Sequence, residues 1–149
     1  MALGDSEGEF TRWQITRALI DEDHPERSEI DLRVDLTSVD TGNSTRDRHL
    51  KGGDFLDVEH YPTATAKLHD VVLADPQHFS VTVDLDLHGT SHTFPMPFTI
   101  IDRAARTLAG EVILKRSDFQ IGSHGSLNPF RVDDEVTVFV EVVVPPAAQ

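Results

Sequence analysis

The chain has 149 residues and no cysteine, and its 13 Lys and Arg face 26 Asp and Glu for a formal net charge of -13. That length suits one domain with a core of its own, and the missing thiols exclude disulfides, thiolate metal sites and thiol catalysis. The acidic excess is spread along the chain and opposes binding to nucleic acid or to an anionic membrane surface, neither of which supplies counter-charge.

The first ten residues are rich in Gly and acids and lack the basic patch and apolar run of a signal peptide, so a full gene product of this sequence is expected in the cytoplasm. No apolar run is long enough for membrane insertion. A strand is expected within Phe10 to Ile20, around Trp13 and Ile15. Ile30, Leu32, Val34 and Leu36 then alternate with Asp31, Arg33, Asp35 and Thr37, the pattern of a strand with one face in a core and one in water. Between Asn43 and Lys51 the spacing predicts a helix, with Ser44 and Asp47 at capping-box separation and Gly52-Gly53 as its stop. A second short helical turn fits Asp54 to Tyr61, ended by Pro62. Ala64, Ala66 and Leu68 alternate weakly over Ala64 to Val72.

The next two strands predict a hairpin. Phe79, Val81, Val83, Leu85 and Leu87 share one face, as do Phe94, Met96, Phe98 and Ile100. Pairing Leu85 with Phe94, Val83 with Met96, Val81 with Phe98 and Phe79 with Ile100 gathers them on one side and leaves Asp84 and Asp86 on the other, facing water. A four-residue loop, His88 to Ser91, then puts Pro95 and Pro97 at non-hydrogen-bonded pairs. Their missing donors point toward the strand after them, predicting a weakly bonded seam there.

That following strand, Leu108 to Lys115, carries Val112 and Leu114, with Gly110 as a bulge or close-packing point. Gly122-Ser123-His124-Gly125-Ser126 reads as a flexible loop, since it lacks the order of a nucleophile elbow and no helix follows it. Val136, Val138, Val140 and Val142 form a last strand, and Pro145 to Gln149 a frayed tail. Short, evenly spaced strands point to an all-β fold with one or two short helices, and the Val-rich last strand favours a barrel, in which its edges are paired.

Several segments in order resemble one family. Ser38-Val39-Asp40-Thr41-Gly42-Asn43, Arg46-Asp47, His49-Leu50, Asp54-Phe55-Leu56-Asp57-Val58 and Tyr61-Pro62-Thr63-Ala64-Thr65 resemble the middle of YceI-like proteins. Asp84-Leu85 with Leu87-His88-Gly89-Thr90, then Arg116-Ser117-Asp118-Phe119-Gln120-Ile121-Gly122, then Val132-Asp133-Asp134-Glu135-Val136 continue the likeness. The resemblance runs from Gly8 onward. It implies a single YceI-like domain over 1–149, a lipocalin-like antiparallel β-barrel, in some members with an isoprenoid chain threaded through it, and in many members a periplasmic location. Two departures stand out. The N-terminal strand segment is short or missing, which would leave an open seam for a partner, a second copy in a homodimer included. The Trp that often follows the Ile-Gly pair is absent, Ser123-His124 standing there instead.

With that resemblance, the inward apolar set becomes a candidate ligand wall: Trp13, Ile30, Leu32, Val34, Leu36, Phe79, Val81, Val83, Leu85, Phe94, Met96, Phe98, Leu114, Phe119, Val136, Val138 and Val140. Arg46, Asp47, His49, Phe55, Arg116 and Asp118 are candidates for a lid or mouth, with Arg46 pairing carboxylates and Arg116 pairing Asp118 at a strand end. The expected partner is a hydrophobic small molecule or lipid, a polyisoprenoid or quinone-like chain, with no cofactor required. The alternatives are sequestration of other hydrophobic compounds, and an interaction protein with a filled barrel. His88 and His92 have the spacing of a helical metal pair but span a hairpin, so no metal site is assigned. Nothing in the spacing nominates a nucleophile with its base, so catalysis is not expected.

Overall fold

The structure, a computed structural model, describes residues 2–3, 6–122 and 134–146, with backbone alone at 2, 3, 6 and 7. Part of the 122–126 loop, Val132-Asp133 and the last three tail residues lie outside the described residues.

In chain order the strands are β1 (Ala2–Leu3), β2 (Ser6–Glu7), β3 (Glu9–Phe10), β4 (Trp13–Leu19), β5 (Glu29–Asp35) and β6 (Val39–Asp40). Helix α1 (Ser44–Lys51) precedes β7 (Thr63–Leu73), β8 (His78–Leu87), β9 (Thr90–Asp102), β10 (Thr107–Lys115) and β11 (Glu135–Val143). Seven strands form one antiparallel sheet in the order β11-β10-β9-β8-β7-β5-β4, curled into a half-barrel. Its edges are β4 and β11. The short pairs β1–β2 and β3–β6 stand apart from it, with β1 lying against β11.

The helix starts where the sequence places it, but its cap is Asn43, whose side chain accepts from the Arg46 N–H at 3.0 Å. Asp47 instead reaches back out of the helix and accepts from the Thr41 hydroxyl at 2.5 Å and the Thr41 N–H at 2.9 Å. The segment after Gly52 is a chain of turns with no helix in it, tied by Asp57 N–H to the Gly52 carbonyl and Tyr61 N–H to the Asp57 carbonyl. β5 stops at Asp35, whose carboxylate accepts the Thr37 N–H, so Leu36 lies in a 3-10 turn and is buried to 1 % exposure.

The β8–β9 hairpin keeps the expected faces, but its register is shifted by two residues. Val81 faces Met96, Val83 faces Phe94, and Leu87–Thr90 close directly on the two-residue turn His88-Gly89. Both turn residues have positive φ, the signature of the type I′ turn that matches strand twist. The sequence reading missed it because His is not the Asn or Asp that usually opens such a turn. In this register Pro95 and Pro97 face Thr82 and Ser80 at non-hydrogen-bonded pairs. The β9–β10 ladder ends at Phe98–Gly110, where the prolines begin, although β10 continues to pair with β11 as far as Lys115.

Candidate functional site

The two ends of the barrel differ. At one end α1 and the turns behind it press Val39, Leu50, Phe55 and Leu56 against Phe119 and Ile121, all buried, and Leu85, Leu87 and Leu114 of the wall pack onto them. This end is closed. Arg46 donates from Nε and Nη2 to the Thr41 hydroxyl and carbonyl, both at 2.9 Å, and Asp47 takes the same Thr41 from the other side. The Thr41 hydroxyl holds the Asp47 carboxyl below the usual carboxylate range. His49 meets Phe55 edge-on at 6.3 Å. Arg116 donates to the Ile121 carbonyl at 2.9 Å, and the Asp134 carboxylate accepts from Ser117 N–H and Oγ. The carbonyl of Asp118 bonds His92 Nε2 at 2.7 Å, and that of Phe119 bonds His88 Nδ1 at 3.0 Å. The two histidines thus clamp the hairpin to the plug. The six lid candidates lie at this end, and none of them lines the cavity.

Below the plug Val81, Val83, Met96 and Phe98 form a buried belt on the inner wall, with Leu68, Phe94 and Val112 packed against it. The other end holds a cavity of ≈ 590 Å³. Its wall comes from Ile30 and Leu32 of β5, Leu68 and Val71 of β7, and Phe79 and Val81 of β8. Phe98, Ile100, Leu108, Val140 and Val142 extend it, with Ile20, Leu73 and Val144 toward the rim. Phe79 and Phe98 stack with centroids 5.6 Å apart and planes 10° from parallel, forming a flat aromatic floor. The rim is made by the β4–β5, β7–β8 and β9–β10 connections with the first residue of β5 and carries the charges: Asp21, Glu22, Glu29, Asp75, Arg103 and Arg106. Arg106 donates to the carbonyls of Val144 and Pro145 beyond β11 and to Glu22 at 2.7 Å, so it ties one edge of the sheet to the loop beyond the other.

Of the wall candidates, Ile30, Leu32, Phe79, Val81, Phe98 and Val140 line the cavity. Val83, Met96 and Val136 are buried outside it, with Leu85, Phe94, Leu114 and Val138 half-buried along the same inner face. Leu36 and Phe119 are the two most enclosed side chains, Phe119 in the plug, while Val34 is half-buried near the β5 end next to it. Trp13 pairs with Val34 but sits on the edge strand β4, 45 % exposed, because no further strand covers it in the described sheet.

Val71 and Ile20 were missed for one reason. β7 carries a bulge at Asp70-Val71, with Asp70 at φ 51°, and β4 a register shift between Ile15 and Arg17. Each inserts a residue, so inward positions change from even to odd along β7 and from odd to even along β4. A period-2 reading loses the strand at that point.

Among the described residues no helix is long and apolar enough to cross a membrane, and no cluster of three or more His, Asp or Glu is placed to hold a metal ion. The YceI-like domain family matches residues 1–144. Protein YceI of Escherichia coli O157:H7 is 28 % identical over 132 residues, covering 89 % of this chain and 62 % of that protein. The chain therefore spans under two thirds of the length of such relatives. The crystal structure of Burkholderia cenocepacia BcnA has a TM-score of 0.80 and 26 % identity, over 91 % of this chain and 86 % of that one. A domain from Saccharophagus degradans, described as polyisoprenoid binding and implicated in plant cell wall breakdown, shares the fold with a TM-score of 0.62 and 18 % identity, over 93 % and 88 % of the two chains.

Proposed function

Since the chain belongs to the YceI-like family, we propose that it binds a long apolar lipid, a polyisoprenoid or an isoprenoid quinone, in the half-barrel and carries or stores it without chemical change. The observation that supports this is the segregation of the cavity, with aliphatic and aromatic walls below and charges confined to the rim. Such a cavity removes apolar surface from water at no cost in stranded polar groups. The polyisoprenoid-binding description of a structural neighbour supports this choice of lipid class.

The plug fills one end of the half-barrel and leaves the rim as the mouth of the site. A long chain would lie with one end against the aromatic floor and the rest folded back or projecting from the rim. At ≈ 590 Å³ the cavity also falls within the range of about 300–1,000 Å³ that serves drug-sized ligands. That size favours, as a second reading, sequestration of other hydrophobic small molecules.

The test is native mass spectrometry and organic extraction of the purified protein, followed by uptake assays with polyprenols and prenyl quinones. Co-purified lipid or saturable uptake is expected. Neither lipid nor uptake would overturn the proposal, and uptake of smaller apolar compounds alone would leave the second reading.

A further inference from the structure

We propose that the rim selects apolar molecules with an uncharged, hydrogen-bond-accepting head group over those with an anionic one, an inference that rests on the cavity being a lipid site. The cavity lining holds four carboxylates, Asp21, Glu22, Glu29 and Asp75, against two guanidiniums, Arg103 and Arg106. Arg106 is committed at all three nitrogens, to the Val144 and Pro145 carbonyls and to Glu22, so it and Glu22 neutralise each other and hold the mouth together. Glu29 is shared with Arg17 at 3.0 Å and Lys67 at 3.9 Å.

Asp21 and Asp75 remain. Each turns a carboxylate oxygen onto backbone donors, Asp21 onto the N–H groups of Asp23 and His24, Asp75 onto those of Gln77 and His78, and Asp75 also meets the His78 ring at Nδ1, 2.9 Å away. The Gln77 N–H and the His78 ring hold the Asp75 carboxyl below the usual carboxylate range. Arg103 is the remaining cation. It donates to the Pro76 carbonyl, and among the described residues no carboxylate lies within ion-pair distance of it. Its other N–H donors sit at the mouth with two fixed anions on the same rim, in a chain of net charge -13. A hydroxyl or carbonyl oxygen accepts from Arg103 without meeting repulsion, whereas a diphosphate brings several negative charges toward Asp21 and Asp75.

The experiment compares two probes with one tail, geranylgeraniol and geranylgeranyl diphosphate, as competitors of the neutral fluorophore N-phenyl-1-naphthylamine. The alcohol is expected to displace the fluorophore at about tenfold lower concentration than the diphosphate at low salt. The gap should narrow at high ionic strength, where rim charges are screened. It should narrow also in Asp21→Asn/Asp75→Asn, which keeps an acceptor for each turn but removes the charge. Equal potency, or a diphosphate preference, overturns this inference and leaves the lipid site standing. Failure of both probes, together with failure of neutral prenyl quinones, overturns the lipid site and this inference with it.

Discussion

Gly110 faces Phe98 across the β9–β10 ladder so closely that a Cβ at position 110 would lie 2.8 Å from the ring. The glycine is there to let the ring lie flat on Phe79 and form the cavity floor. Gly110→Ala must push the ring into the cavity or part the strands. The expected cost is about 1–3 kcal/mol, read as a lowered urea midpoint, together with weaker lipid uptake. An unchanged midpoint and unchanged uptake would show that the floor is not fixed by this contact.

Filling the barrel should have different consequences at two depths. Met96 is 3 % exposed in the belt opposite Val81, so Met96→Trp is overpacking and should destabilise by about 1–3 kcal/mol. Val140 borders the cavity, and Val140→Phe has room to enter it. That variant should lose uptake while its urea midpoint without lipid moves by less than about 1 kcal/mol. The reverse pattern would mean that the belt, and not the rim end, is the hollow part.

The hairpin turn gives a third expectation. Gly89 has φ 73°, and a Cβ there would sit 2.9 Å from the Tyr61 ring, which covers the turn. Gly89→Ala should cost at least about 1–2 kcal/mol from the left-handed backbone alone. Tyr61→Ala should relieve only the contact part of that cost. A double-mutant cycle on urea midpoints separates the two, and strict additivity would show that Tyr61 does not press on the turn.

On the outer face, His69 lies between two carboxylates, 2.8 Å from Asp70 and 2.8 Å from Asp84. Partial burial lowers its pKa, but the bonds to Asp70 and Asp84 outweigh this and leave it above 6.5. The stabilisation from its charge is therefore complete below the unfolded value and is lost as pH rises through the folded one. Its NMR titration midpoint should exceed 6.5 and fall in Asp84→Asn. His69→Gln should reduce the loss of urea midpoint between about pH 6 and pH 8.5. An unaltered pH profile in His69→Gln would assign that loss to other groups, His60 with Asp57 among them.

Asp84 shows how far an alternation pattern reaches. The sequence puts it on the outer face, and so it is, yet it is not merely in water, because Thr93 and His69 come to it from both neighbouring strands. Which face a residue takes is a local property and was legible wherever a strand ran without interruption, as in β5, β8 and β11. Register is a relation between strands, and the two-residue slip of the hairpin leaves every face unchanged, so periodicity has no power to detect it. Bulges defeated the reading of β7 and β4, and with it the recognition of Val71 and Ile20 as lining residues. The plug was legible as a cluster but not by position: nothing local in Arg46, Phe55 or Arg116 tells which end of a barrel they close. The rim was hidden for a related reason. Arg106 and Glu22 are 84 residues apart and meet only because the sheet curls.

In the proposed carrier, the packed base turns traffic toward the rim. In the proposed lipid site, a chain that enters past Arg103 and Asp75 would meet α1, Phe55 and Phe119 packed across the far end. Passing cargo from this protein to another would therefore be a meeting at the rim, mouth toward acceptor, with the donor surface limited to the three connections that build it. On the proposed function, unloading would depend on the loops after β4, β7 and β9, and holding the cargo on the wall.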